Sequence, residues 1–327
     1  PFKESIMRFR TVFSGCLAAL LTCSTLTAAA QPAFPNKPVR MIVPFPAGQA
    51  TDMVARMLAE GLSRSWGHQV VVENRPGVPG MMAGKEALPD GYTLTFGTSG
   101  TLAVNPAVYS KLTYDTQRDF AMIHGGGVIP MVIVASATSP FQSLKDLVDA
   151  ARKEPGKYNI GYGGVNNTQH LTGELFKSYA KVDLVGVTYK GSAAAVTDLL
   201  GGQVSLLVDS LAATMPHIKS GKIRPLAIST LQRVPQMPDL PTVAETFPGF
   251  EGVGWAGLVA PKGTPQAVID KISEDTRKVL SDPKMRDMIM DRGMVADMRG
   301  AREWGEFVNA EVVKWAEAAR KANLKAD

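Results

Sequence analysis

The sequence predicts an α/β protein in which short buried strands alternate with amphipathic helices. Short apolar runs recur along the chain, and the segments between them carry apolar residues at helical spacing. Aromatic residues make up only 7% of the chain, whereas the 31 Gly and 22 Pro suit turns between many short elements. This alternation of strands and helices predicts parallel sheets joined by crossover helices.

The apolar runs predict strands, and the segments between them predict helices that begin at good capping residues such as Ser143 and Thr264. The predicted strands cover residues 39–43, 69–73, 92–96, 131–135, 157–161, 184–188, 204–208, 224–229 and about 255–260. The predicted helices cover residues 51–66, 79–87, 143–152, 168–180, 192–201, 210–220, 265–281, 283–292 and 302–322.

The order of these elements predicts two domains. Residues 31–132 together with 253–327 are expected to form domain I, and residues 133–252 domain II. The C-terminal helices have no new strands to cover, so their apolar stripe is expected to pack back on domain I as core. That stripe comprises Trp304, Phe307, Val308, Val312 and Trp315. The chain then crosses between the domains twice, which predicts a hinge and a cleft.

Residues 1–30 have the features of a cleaved export signal. An upstream extension, 1–6, precedes Met7, and two Arg residues then lead into an apolar stretch at about 12–26. Ala28-Ala29-Ala30 fits a small-residue cleavage site, so export to the periplasm with cleavage after Ala30 is expected. The apolar stretch is interrupted by Ser and Thr and is short of the ~20 residues that a spanning helix needs.

Cysteine content and charge exclude several classes of protein. Both cysteines, Cys16 and Cys23, lie in the signal, so the mature chain is expected to have no disulfide, thiol nucleophile or thiolate metal site. Across the chain 35 Lys and Arg face 30 Asp and Glu without a basic run, which disfavours nucleic-acid binding. We expect no cofactor and no metal.

The segment from Pro44 to Asp52 predicts an anion-binding turn. It joins the strand 39–43 to the helix 51–66, and Thr51 and Asp52 are candidates to cap that helix. The first N–H groups of a helix have no intrahelical partner, and the helix dipole places partial positive charge there. Such a turn can hold a carboxylate or a phosphate without any Lys or Arg.

Motifs along essentially the whole mature chain resemble the Bug family, the periplasmic solute-binding proteins of tripartite tricarboxylate transporters. These motifs include Val43-Pro44-Phe45-Pro46-Ala47-Gly48, Val72-Glu73-Asn74-Arg75-Pro76-Gly77, Pro89-Asp90-Gly91-Tyr92, Gly97-Thr98-Ser99-Gly100-Thr101, His170-Leu171-Thr172-Gly173-Glu174, Tyr189-Lys190-Gly191-Ser192, Leu199-Leu200-Gly201-Gly202-Gln203 and Leu240-Pro241-Thr242-Val243. The resemblance implies a two-lobed type II periplasmic binding protein, a Venus flytrap with a ligand cleft between the lobes. It also implies a small carboxylated ligand, delivery to membrane permease subunits and no catalytic activity; we expect a monomer.

The resemblance also implies which residues meet the ligand. Two turns would hold the carboxylates, largely through backbone groups and waters: 45–52 in the first domain and 163–168 in the second. Thr98 and Ser99 would line the cleft from the first domain, and Asp209 would lie near it in the second. The candidate ligand-binding residues are Phe45, Pro46, Ala47, Gly48, Gln49, Ala50, Thr51, Asp52, Thr98, Ser99, Gly164, Val165, Asn166, Asn167, Thr168 and Asp209.

Two departures from the family pattern lie where ligand identity is set. Gln49 replaces a small residue, commonly Gly, and Asn166-Asn167 replace what is often Gly-Thr. Asn donates and accepts hydrogen bonds and tolerates the left-handed region, so the second turn can be kept. For this reason no individual ligand is assigned from the resemblance.

Other interpretations of the same residues stay open. Residues 161–166 nearly match a dinucleotide fingerprint, but Asn166 stands in place of its third glycine. Gly97-Thr98-Ser99-Gly100 is one residue short of a nucleophile elbow, so an exported serine hydrolase using Ser99 is the main alternative. A periplasmic sensor that presents its ligand-bound form to a signalling partner is another. Asp209 is a candidate helix cap as well as a ligand contact. Lys190 belongs either to the ligand site or to a surface turn.

We predict that the mature protein begins at Gln31, because Ala28-Ala29-Ala30 follows the short apolar stretch. The intact mass of protein released from the periplasm measures this directly. A retained signal, or a lipid on Cys23, would contradict it.

Overall fold

The computed structural model describes residues 34–45, 47–48, 50–164, 167–321 and 324–325. The export signal and its cleavage position lie outside the described residues. So do four members of the predicted site, which are Pro46, Gln49, Val165 and Asn166.

Strands and helices alternate through most of the described chain. The strands are β1 (Val39–Val43), β2 (Val70–Asn74), β3 (Thr93–Thr98), β4 (Phe120–Ile129), β5 (Met131–Ser136), β6 (Asn159–Tyr162), β7 (Val185–Thr188), β8 (Leu206–Ser210), β9 (Ile223–Ile228), β10 (Gly254–Pro261) and β11 (Val295–Ala296). The longer helices are α1 (Ala50–Trp66), α2 (Val78–Lys85), α3 (Leu144–Lys153), α4 (Thr168–Ala180), α5 (Ser192–Leu200), α6 (Leu211–Lys219), α7 (Gln266–Ser281), α8 (Pro283–Asp291) and α9 (Ala301–Lys321). Short helical turns cover Gly100–Val104, Asn105–Val108, Thr116–Asp119 and Val243–Thr246.

The strands form two sheets, each the centre of one lobe. The first lobe has the order β11-β4-β10-β3-β1-β2, with α1, α2, α7 and α9 packed on it. The second has the order β7-β6-β8-β5-β9, with α3, α4, α5 and α6 around it. The expectation of parallel sheets is wrong in part. β10 is antiparallel to β3 and β4, and β5 is antiparallel to β8 and β9. These antiparallel strands include those that leave one sheet for the other and return.

Strand β4 is absent from the sequence prediction because its central residues are Gly125, Gly126 and Gly127, and glycine is depleted in strands. The packing explains these residues. A Cβ on Gly126 would lie 2.6 Å from Phe96 Cε2, and one on Gly127 would lie 2.8 Å from Met294 Cε. The glycines therefore allow side chains to pack directly on the strand backbone.

The C-terminal helix α9 packs on the first lobe, as expected. Trp304, Val308 and Trp315 are buried in the same core cluster as Trp255 of β10. Glu311 of α9 is buried between two indoles, and its Oε2 accepts from Trp255 Nε1 at 2.7 Å and from Trp315 Nε1 at 2.8 Å. Lys314 pairs with the other oxygen of Glu311. Helix α9 therefore anchors Trp255, the second residue of β10, close to the point where the chain enters the first sheet.

The two connections between the sheets lie side by side. The outgoing connection is Pro130, between β4 and β5, and the returning one leads through Gly252 into β10. Ser229, just after β9, joins them: its N–H donates to Met131 O at 2.9 Å, and its carbonyl accepts from Gly252 N–H at 3.1 Å. Ser229 Oγ also accepts from Met131 N–H at 2.9 Å. The hydrogen bonds of Ser229 therefore tie the outgoing and the returning connection to each other.

Glu311→Leu should destabilise the protein by at least about 2 kcal/mol, because it leaves two buried indole N–H groups without an acceptor and each costs about 1–3 kcal/mol. Urea denaturation measures the loss. Glu306→Leu is the matched control, since it makes the same change on the solvent-exposed face of α9. Equal effects of the two substitutions would contradict the assigned role of Glu311.

Candidate functional site

A cavity of about 480 Å³ lies between the two sheets, at the ends of the strands that lead into helices. Phe45, Thr51, Thr98 and Ser99 line it from the first lobe. The second lobe contributes Gly163, Asn167, Thr168, Gln169, Gly191, Ser192 and Ser210. Ile129, Met131 and Gly254 close it at the connections between the sheets. The described lining residues include no Lys and no Arg.

The first turn leads from β1 into α1 and is closed by Asp52. This carboxylate is buried and accepts from Gly48 N–H at 2.8 Å, Arg56 Nε at 3.0 Å and Asn74 Nδ2 at 2.8 Å. Burial opposes ionisation of Asp52, but these hydrogen bonds outweigh it and hold its pKa below the ordinary value. Asp52 therefore holds the turn, and its neighbour Thr51 lines the cavity.

Other members of this turn are placed differently. Ala47 and Gly48 are exposed, and Gly48 has φ +83°, which a glycine adopts without strain. Asn74, at the end of β2, was not predicted as part of the site. Its Nδ2 also donates to Phe45 O at 3.0 Å, so it fixes the turn from the neighbouring strand. The signal available in the sequence was the motif Val72-Glu73-Asn74-Arg75-Pro76-Gly77, in which Asn74 directly follows a predicted strand.

Thr98, the last residue of β3, and Ser99, which follows it, are buried and line the cavity. The two lobes meet here, because Ser99 Oγ lies 3.0 Å from Thr168 Oγ1 at the start of α4. Trp255 N–H also donates to Ser99 Oγ, at 3.4 Å. The hydroxyl of Ser99 thus contacts another hydroxyl and a backbone amide. His124 Nδ1 lies 2.6 Å from Gly125 O, so this ring nitrogen is engaged within the first sheet and not with Ser99.

The second turn leads from β6 into α4. Asn167 caps this helix, and its Oδ1 accepts from His170 N–H at 3.1 Å. Thr168 is buried in the first turn of α4, with its hydroxyl at Ser99. Gly164 is half-buried and packs so closely on the Asn167 amide that a side chain would not fit. The start of α4 therefore borders the cavity opposite the start of α1.

Two further helix starts border the cavity, and sequence reasoning did not assign either of them to the site. Gly191 and Ser192 begin α5, and Ser210 caps α6 by accepting from Ala213 N–H at 3.3 Å. All three residues line the cavity. Lys190 is exposed and is not part of the lining, so Gly191-Ser192 are the site residues of that motif. The sequence signal that could have identified Gly191 and Ser192 was a glycine-serine pair at the start of a predicted helix, shortly after a predicted strand.

Asp209 lies behind this wall and is fully buried. Its Oδ1 accepts from Ser210 N–H at 2.7 Å, Ser192 Oγ at 2.9 Å and Gln169 Nε2 at 3.5 Å. Among the described residues no donor reaches Oδ2. Burial raises the pKa of Asp209, although its hydrogen bonds act in the opposite direction. The cap of α6 is Ser210 rather than Asp209.

The site therefore offers neutral donors and the free N–H groups of helix starts. Helix starts from both lobes surround one cavity, and each carries partial positive charge. The described residues hold no cluster of His, Cys, Asp or Glu that could bind a metal ion. No described helix combines the length and the hydropathy needed to cross a bilayer. A ligand-sized cleft between two lobes is the architecture that periplasmic solute-binding proteins use.

Comparison with known proteins identifies the family. Residues 54–324 match the model of the tripartite tricarboxylate transporter family receptor, and the chain belongs to that family. The chain is also 35% identical to a protein solved as periplasmic binding protein BugD, covering 89% of this chain and 99% of that one with a TM-score of 0.71. It is thus a periplasmic-type solute-binding protein of the Bug group and not an enzyme.

Two other solved structures contain a ligand. Rpa4515 of R. palustris with adipate is 33% identical, covers 89% of this chain and 99% of its own, and has a TM-score of 0.75. MatC of Rhodopseudomonas palustris with bound malate is 28% identical, covers 87% of this chain and 99% of its own, and has a TM-score of 0.70. Both ligands are small dicarboxylates.

The lowered pKa of Asp52 predicts a pH dependence. A carboxyl whose pKa is depressed on folding stabilises the protein above its unfolded pKa, ordinarily 3.8, and this contribution is lost as the pH falls. Asp52→Asn should lower the free energy of unfolding by about 1–3 kcal/mol at pH 7, and by less below pH ~4. Thermal unfolding measured between pH 3 and pH 7 tests this, with exposed Asp287→Asn as the control. A constant difference across that range would contradict the role of the Asp52 carboxylate.

Proposed function

We propose that this protein captures a small carboxylate in the cleft between its lobes and delivers it to the membrane permease of a tripartite transporter. The observation that carries the proposal is the convergence of helix starts from both lobes on one cavity whose described lining has no cation. Family membership and the dicarboxylates bound by two relatives support it.

The chemistry of the lining suits carboxylates. The start of α1 would hold one carboxylate, and the starts of α4, α5 and α6 would hold the other end of the ligand. The hydroxyls of Thr51, Thr98, Ser99 and Thr168 and the amide of Asn167 would add hydrogen bonds. Gln49 and Asn166, outside the described residues, belong to the same two turns and are proposed to contribute to selectivity. A cavity of about 480 Å³ fits a small ligand.

The two-lobed arrangement couples binding to closure. A ligand can bias two conformations only by contacting them differently, and one small molecule reaches the donors of both lobes only when the cleft is narrow. Ser99 Oγ and Thr168 Oγ1, 3.0 Å apart, mark where the lobes come together. The ligand-bound form would be the form that the permease recognises.

The proposal includes the remaining sequence-based expectations. The protein would be exported to the periplasm, cleaved after Ala30 and act as a monomer. Domain I would comprise residues 31–132 and 253–327, and domain II residues 133–252. The positions of Pro130 and Gly252, in the two connections between the sheets, support a division near these boundaries.

Isothermal titration calorimetry with a panel of dicarboxylates that includes adipate and malate tests the binding function. At least one member should bind, and Thr98→Ala and Asn167→Ala should each weaken its binding by about 0.5–3 kcal/mol, the range that hydrogen bonds to neutral and to charged groups together span. Ser143→Ala is the matched control for Asn167→Ala, because it also removes a helix cap but lies at the start of α3. It should lower stability without changing affinity.

Two results would contradict the proposal. A wild-type protein that binds no small carboxylate would refute the ligand class. Full affinity in both the Thr98 and the Asn167 variants would place the binding site elsewhere.

A further inference from the structure

The carboxylate of Asp209 joins three helices at the cleft. Its Oδ1 receives hydrogen bonds from Gln169 of α4, Ser192 of α5 and the Ser210 amide that precedes α6. All three donor residues line the cavity, whereas Asp209 is fully buried behind them. We propose that Asp209 is a positioning residue, which holds the first turns of α4, α5 and α6 together as a single ligand-binding wall.

The sheet gives Asp209 a fixed position. It lies on β8, a strand with partners on both sides, and is paired with Val132 of β5. Interior strands of a sheet are among the last parts of a protein to open. A carboxylate on such a strand therefore has a fixed position, and its hydrogen bonds fix the position of the helix starts that donate to it.

The helix starts need this attachment to different degrees. Asn167 caps α4 and Ser210 caps α6, but α5 follows Gly191 and has no side-chain cap. The bond from Ser192 Oγ to Asp209, at 2.9 Å, is thus a side-chain tie at a start that otherwise lacks one. Without it, α5 would keep only its packing on the sheet, and its first turn would open more often.

Gly163 supplies an independent view of the same arrangement. A Cβ on Gly163 would lie 2.9 Å from Asp209 Cγ and closer still to Oδ2. The turn between β6 and α4 therefore rests directly on the carboxylate, and any side chain at 163 would displace it. Gly163→Ala should reproduce the loss of Asp209 without removing a donor or the acceptor.

The position of Asp209 also determines what it does for the ligand. Gly163 and the three donor residues separate it from the cavity, so it acts through them. Its role in binding rests on the proposed function, because it depends on those helix starts holding a carboxylate. Its role in organising the wall does not depend on ligand and can be measured without one.

Amide hydrogen exchange measured by NMR on the ligand-free protein tests the proposal. The reporting amides are those of Leu171, Ala195 and Ala213, which donate to Asn167 O, Gly191 O and Ser210 Oγ, respectively, in the first turns of α4, α5 and α6. Asp209→Ala should raise exchange at all three by about tenfold or more, the factor for losing a hydrogen bond to a carboxylate. Asp209→Asn keeps an acceptor at this position and should change them by less than about threefold.

Two further variants keep the test decisive if Asp209→Ala folds poorly. Ser192→Ala should raise exchange at Ala195 alone, because it releases only α5. Val132→Ala weakens the core beside Asp209 and should affect the second lobe broadly, without selecting the three helix starts. The proposal would be overturned if the amide exchange pattern of Asp209→Ala matched that of Val132→Ala, or if the increase in exchange were confined to one helix.

Calorimetry with adipate separates this inference from the proposed function. If the wild type binds adipate, Asp209→Ala and Gly163→Ala should weaken it about tenfold or more, and Asp209→Asn should retain most of the affinity. Unchanged affinity in the first two variants would overturn the positioning role in binding. If the wild type binds neither adipate nor the other dicarboxylates, the proposed function fails, while the exchange pattern still decides whether Asp209 organises the wall.

Discussion

The N–H groups at the starts of helices, which have no intrahelical carbonyl partner, are the feature on which the rest of this structure depends. In each lobe, a strand that ends at the cleft passes through a short turn into a helix, so the helix starts face the same space. Nothing within a helix can satisfy these groups, and they carry partial positive charge. A cleft built in this way attracts an anion without using a Lys or an Arg, and the described lining indeed has neither.

The same feature explains why polar side chains at the cleft, such as Asp52 and Asn167, stabilise the turns that lead into these helices. Asp52 bonds to Gly48, Arg56 and Asn74, and Asn167 caps α4. Asp209 is buried behind the cavity lining and accepts hydrogen bonds from the helix starts that border the cavity. Acidic side chains here fix backbone donors in position, and Thr51, Thr98, Ser99 and Thr168 line the cavity. Such fixed dipoles need little reorganisation when an anion arrives.

The connections between the sheets determine how the cleft can move. Ser229 joins the outgoing strand to the returning segment, and Glu311 anchors Trp255 immediately after that segment. Leu171 of α4 lies in the core cluster of the first lobe although its helix follows β6 of the second. The start of α4 thus touches both lobes near the connections. We expect relative motion of the lobes to take place about these connections.

Much of the fold and part of the site could be predicted from sequence. Buried strands such as Val39–Val43 and capped helices such as Thr168–Ala180 carry strong local signals, and both were predicted within a residue. Strand β4 could not be predicted, because Gly125-Gly126-Gly127 has no strand pattern and is explained only by Phe96 and Met294 packing on it. The antiparallel pairing of β10 with β3, and that of β5 with β8, could not be predicted either, because each depends on contacts between distant segments.

For the site, the motifs that resemble the Bug family implied that Thr51, Thr98, Ser99, Asn167 and Thr168 lie at the cleft, and all five line the cavity. They did not reveal Ser192 and Ser210, whose place depends on how three helices gather around Asp209. They also treated Asp209 as either a cap or a ligand contact. In the structure its carboxylate is buried and bonded to Gln169, Ser192 and Ser210, an arrangement that depends on tertiary packing and not on local sequence.

Small-angle X-ray scattering with and without a saturating dicarboxylate tests the central claim most directly, namely that donors from both lobes hold one ligand together. The radius of gyration should decrease when a ligand shown by calorimetry to bind is added, because joint contacts favour the narrow cleft. An unchanged radius, with binding confirmed in the same sample, would contradict this account.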